Sequence, residues 1–131
     1  MIKMFRQSKS AIYMIFDNAG NEQLISAFTA LSHMETYKLN VNFDLSIINM
    51  KKTNFVEISL VLRIDNNIER SLIQRIDDEI IWIMDYDDAD YGLGAFNDCK
   101  ENGSFFPAEF IRIQILKNRN IDDMYCELFS E

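Results

Sequence analysis

The sequence predicts an α+β fold: a mostly antiparallel sheet of five or six strands with one main N-terminal helix packed on it. Two observations carry this. Apolar residues alternate with polar ones through Leu39, Val41, Phe43, Leu45 and Ile47, and again through Val56, Ile58, Leu60, Leu62 and Ile64, which is the period of a half-buried strand. Ahead of them, Leu24, Phe28 and Leu31 fall at i, i+4 and i+7, the stripe of a helix that covers a sheet.

In chain order, residues 10–17 read as a first strand, with Ile12, Met14 and Phe16 on one face and Tyr13 and Ile15 on the other. Asp17-Asn18-Ala19-Gly20 reads as a turn. The helix is expected over 21–35, with Asn21 as N-cap and Glu22 in its first turn. The two alternating runs form an antiparallel hairpin around a loop at 49–54. After the turn Asp65-Asn66-Asn67, residues 68–84 read as a short strand or helical turn followed by a strand at 79–85. Residues 86–107, with Gly92, Gly94 and Gly103, read as a long loop, and 108–117 and 122–129 as the last two strands.

With 131 residues, 48% of them apolar and ten Phe among them, the chain is long enough for one ordinary domain spanning 1–131 with a proper core. Four Gly and one Pro leave little room for a flexible linker. The apolar run Ala11–Phe16 is too short for a secretory signal, and no stretch approaches a membrane span, so a cytoplasmic protein without a membrane partner is expected. Lys3, Arg6 and Lys9 read as a solvated basic tail. Cys99 and Cys126 read as core-filling thiols, since no His or basic cluster stands near either in sequence.

Charge is the most informative feature. The chain carries −8 overall, and the segment 77–101 holds nine carboxylates against one basic residue, Lys100, so the whole excess lies there. Its focus is Asp85-Tyr86-Asp87-Asp88-Ala89-Asp90-Tyr91-Gly92. Crowded like charges repel. They are either a solvated loop that keeps the protein soluble or a patch for a cationic partner, with the tyrosines as rigid contact area. The expected binding residues are Asp77, Asp78, Glu79, Asp85, Tyr86, Asp87, Asp88, Asp90 and Tyr91.

No catalytic set stands out, and the chain reads as non-enzymatic, with no cofactor and no metal. His33, the only histidine, falls at the expected helix end, and no serine sits in a nucleophile elbow. One His and two distant Cys do not make a zinc site. A calcium loop starting at Asp85 has Ala89 and Phe96 where ligands belong. A nuclease pattern of Asp87 or Asp88 followed by Asp98-Cys99-Lys100 is loose, and an acidic protein repels nucleic acid.

In size, in α+β pattern and in the Asp85–Gly92 acidic-aromatic stretch, the chain resembles the immunity proteins of bacterial contact-dependent inhibition and related polymorphic-toxin systems. That resemblance implies a non-catalytic inhibitor that binds and neutralises a cognate, basic toxin such as a nuclease. Asp85, Asp87, Asp88 and Asp90 would then pair with toxin cations, and Tyr86 and Tyr91 would anchor the contact. A phage-type nucleic-acid mimic that inhibits a host defence enzyme uses the same electrostatics. A metal-dependent enzyme built on the Asp cluster is a further alternative.

Overall fold

The computed structural model describes residues 1–116 and 120–129. Eight strands and three helices follow in the order β1 (Ile2–Ser8), β2 (Ala11–Phe16), α1 (Asn18–Ala30), β3 (Thr36–Asp44), α2 (Ser46–Asn49), β4 (Phe55–Ile64), β5 (Ser71–Ile76), β6 (Glu79–Met84), α3 (Tyr86–Asn102), β7 (Glu109–Ile115) and β8 (Ile121–Leu128). The strands close into a mixed barrel in the order β1-β2-β8-β7-β5-β6-β4-β3. This corrects the expected open, mostly antiparallel sheet of five or six strands with a single main helix. The expected β3–β4 hairpin does form, in register from Thr36–Arg63 to Asp44–Phe55. Four other neighbours are parallel: β1–β3, β2–β8, β4–β6 and β5–β7.

The parallel pairs follow from a duplication of topology. Residues 2–64 run strand, strand, helix, strand, strand, and residues 71–128 repeat that order, with α2 an extra turn in the first half. The two halves interlock through β2 with β8 and β6 with β4. Exchanging the halves maps the strand order onto itself.

Two sequence readings fail for identifiable reasons. The expected basic tail is β1: Ile2 and Met4 alternate inward and are fully or nearly buried, and Arg6 is drawn in by Asp122. Its guanidinium lies 2.9 Å from Asp122 Oδ2 and donates to the backbone carbonyls of Ile47 (3.0 Å), Ser8 (3.1 Å) and Lys9 (3.2 Å). This one cation fastens β1 to β8 and α2. Beside it, Asp44 accepts from Ser46 Oγ at 2.6 Å and from the amides of Ser46 and Asn54, both at 3.0 Å. These bonds end β3 at Asp44 and start α2, so Leu45 and Ile47 leave the strand expected to contain them.

The second failure is the expected loop at 86–107, most of which is the 17-residue helix α3. It packs on α1. Their shared core is aromatic: Phe28 of α1 meets Trp82 and Phe96 edge-on, and Phe96 in turn meets Phe16 and Phe110. The close approach needs Gly92, because a Cβ there would stand 2.5 Å from Phe28 Cε2. Cys99 and Cys126 are buried in this same core, and desolvation raises both thiols. No helix among the described residues is long and apolar enough to cross a membrane.

Candidate functional site

The two long helices begin alike. Each follows a strand and is capped by an aspartate in extended conformation. Asp17 accepts from the Gly20 amide at 2.7 Å, and Asp85 accepts from the Asp88 amide at 2.8 Å. The first cap stands at Asp17, four residues ahead of the expected Asn21; Asn21 is buried inside α1, where its Nδ2 donates to the Phe96 carbonyl. The amides of a first turn lack partners within their own helix, and a short carboxylate satisfies one of them.

Part of the acidic segment therefore serves the fold. Asp85 is the cap. Asp87 and Asp88 stand in the first turn of α3, where the helix dipole favours negative charge. Asp88 also accepts from Ser71 Oγ at 2.7 Å, tying α3 to β5. The Tyr86 amide donates to Asn66 Oδ1 at 2.8 Å, which fixes the helix start to the β4–β5 turn.

Asp90, Asp98 and Glu101 lie outside the cap and the first turn. With Asp87 and Tyr91 they are exposed, and their offsets from Asp87 of 3, 4, 11 and 14 positions place all five on one face of α3. No Lys or Arg among the described residues forms an ion pair with these four carboxylates. Lys100, the basic residue of the helix, is engaged with Glu22 of α1 at 2.8 Å. Asp98 and Glu101 stand near the C-terminal end, where the dipole opposes negative charge. Tyr91 lies flat on Phe110, with ring centroids 5.7 Å apart, and remains 48% exposed; Tyr86 is 46% exposed. The Tyr91 ring is thus held on one face and offers the other side to solvent.

Three of the nine expected site residues lie elsewhere. Asp77 and Asp78 form the β5–β6 turn and Glu79 opens β6, at the far end of that strand from Asp85, about 20 Å away for six strand residues. Glu79 is engaged with Lys38 at 2.7 Å, and this hydrogen bond holds its carboxyl below the usual range. The nine-residue patch thus divides into a structural cap (Asp85, Asp88), a helix face (Asp87, Asp90, with Tyr86 and Tyr91 beside it) and a separate turn. Asp98 and Glu101, which the sequence reading left outside the site, extend the helix face. Helical spacing from Asp87 is the signal that finds them.

The Asp-x-Lys nuclease pattern does not survive. Asp98, Cys99 and Lys100 are consecutive helical residues, Cys99 is buried, and Lys100 turns to α1. Among the described residues no three His, Cys, Asp or Glu side chains converge as metal ligands. His33 is exposed, with its Nδ1 3.0 Å from Ser32 Oγ, and Ser32 is committed to the Thr29 carbonyl at 2.6 Å.

No family model, no curated protein and no solved structure matches this chain.

Proposed function

We propose that this protein is a non-catalytic inhibitor of the immunity type. It binds a cationic protein partner, such as a basic toxin, through the outward face of α3. The observation that carries this reading is the contrast between the two helices. α1 achieves the same aspartate cap and the same packing with Glu22 as its one acidic residue, whereas α3 carries five. The scaffold does not need Asp90, Asp98 or Glu101. Asp90 repels Asp87 and Asp98 repels Glu101, each three positions apart, and a cationic surface removes that cost on docking. Tyr91, seated on Phe110, supplies contact area with little rotamer entropy left to lose.

The test is calorimetric titration against the product of the adjacent gene, over a range of salt concentrations. The combined change Asp87→Asn, Asp90→Asn, Asp98→Asn and Glu101→Gln is expected to weaken binding at least tenfold and flatten its salt dependence. Unchanged affinity with an unchanged salt slope refutes the assignment of this face.

A further inference from the structure

The loop between α3 and β7 is held at both ends and bares one ring. Gly103, at φ 73°, ends α3 with its amide bonded to the Cys99 carbonyl at 2.9 Å. Phe105 turns inward, 8% exposed, and meets Phe16, Phe96 and Phe110 with ring centroids 6.1, 5.6 and 5.8 Å away. The Ala108 carbonyl accepts from the Cys126 amide at 2.9 Å. Between these fixed points Phe106 turns outward and is 88% exposed. Among the described residues the next barest large apolar side chain, Met34, is 50% exposed.

A phenylalanine ring left in water forgoes the gain of burial, and the loop's hold on the core is through Phe105. The bare ring also stands beside the α3 face. Phe110 carries Tyr91 of that face and meets Phe105, the chain neighbour of Phe106. We infer that Phe106 is the apolar anchor of the partner interface, and that the partner presents an apolar pocket rimmed by Lys or Arg. This rests on the reading of α3 as the face that binds a cationic protein.

The local charges choose the rim. Glu101 precedes the ring and Glu109 follows it; both are exposed, and neither has an ion-pair partner among the described residues. The cations about them are engaged: Lys100 with Glu22 at 2.8 Å, Arg112 with Asp123 at 3.4 Å and the Met1 ammonium with Asp17 at 2.7 Å. A second copy of this chain would set its own Glu101 and Glu109 against these carboxylates and bring a net −8 to the contact, so a cationic partner fits better. A ring on a held loop loses little freedom on docking, and once buried it keeps water from the charge pairs beside it.

The experiment titrates the full chain with the product of the adjacent gene over a range of salt concentrations, as wild type, Phe106→Ala, Phe106→Leu and the α3 variant with four neutralised carboxylates. Phe106→Ala is expected to weaken binding about thirtyfold with its salt slope and melting temperature unchanged, while Phe106→Leu keeps most of the affinity. If Phe106→Ala binds like the wild type and the carboxylate variant is weakened, the anchor is overturned and the α3 face stands. If Phe106→Ala is weakened and the carboxylate variant is not, the cationic rim and the α3 face fall together. A lowered melting temperature of Phe106→Ala puts the ring in the fold and overturns the inference. So does a wild type that dimerises in sedimentation where Phe106→Ala does not, since the occupant would then be a second copy. A wild type that fails to bind the product overturns both readings.

Discussion

Replacing Gly92 and Gly94 by alanine, one at a time, tests the packing that holds α3 in place. Both glycines lie within the same helix, so each substitution gains about 1 kcal/mol of helix propensity. Their surroundings differ. At Gly94 an added Cβ meets nothing within 4 Å. At Gly92 it would stand 2.5 and 2.8 Å from Phe28 Cε2 and Cδ2 and 3.1 Å from Phe110 Cζ. The Phe28 ring cannot retreat, because it is 1% exposed and wedged against Trp82 and Phe96. Overpacking of this kind costs about 1–3 kcal/mol, more where the neighbours are rigid. Gly94→Ala is therefore expected to stabilise by up to about 1 kcal/mol, and Gly92→Ala to destabilise by up to about 2 kcal/mol after the propensity gain. For a domain of this size 1 kcal/mol moves Tm by roughly 3–5 °C. Urea denaturation and thermal melting of the two variants beside the wild type measure the difference. Equal stability of the two variants would refute the account of α1 resting directly on the α3 backbone.

Two further outcomes are expected. Asp122→Ala leaves the Arg6 guanidinium buried without its carboxylate and should cost about 3–5 kcal/mol, while Arg6→Met combined with Asp122→Leu recovers most of that loss; a double variant no more stable than Asp122→Ala would count against a charge-pairing role. Desolvation opposes ionisation of Asp44, but its bonds from Ser46 and Asn54 outweigh this and hold its carboxyl below the ordinary range. Its contribution is then complete above the unfolded-state value and fades as pH drops through the folded one. The stability gap between wild type and Asp44→Asn, measured by urea denaturation, should accordingly narrow below about pH 4; a gap that stays constant to pH 2 would show that Asp44 does not act through its charge.

What the sequence disclosed, and what it hid, follows from which interactions are local. The β3–β4 pair, β7 and β8 show apolar alternation, β2 and β6 are short apolar runs, and all stand close to where those patterns put them. Closure was hidden, because parallel pairing between halves is non-local and leaves no periodic trace. β1 was hidden by Arg6, whose partner Asp122 lies 116 residues away. α3 was hidden because three aspartates and two glycines in its first nine residues suppress helix propensity. A local signal did exist. Asp85 stands three residues ahead of Asp88, as in a capping arrangement. Ala89, Gly92, Phe96 and Cys99 form a buried stripe, Lys100 lies in the last turn and Gly103, at φ 73°, ends the helix. Reading Gly92 as a break overlooked that a glycine on the buried side of a helix also admits a close neighbour. For the site, the acidity of the segment was legible, but its division was not. Only the helix sorts Asp85 and Asp88 into the fold, and only the β5–β6 turn sets Asp77, Asp78 and Glu79 apart.

The duplicated topology supplies an internal control for separating structural charge from functional charge. Asp17 and Asp85 occupy matching places and make matching bonds, so an aspartate cap is what this arrangement of strand and helix demands. Features present in one half alone are not demanded by it. The row Asp87, Asp90, Asp98 and Glu101 of α3 has no counterpart on α1, whose one acidic residue is Glu22. A surface charge that repels its neighbours and is absent from the topological twin lowers the stability of the free protein. On the proposed reading, a cationic partner offsets that repulsion on binding.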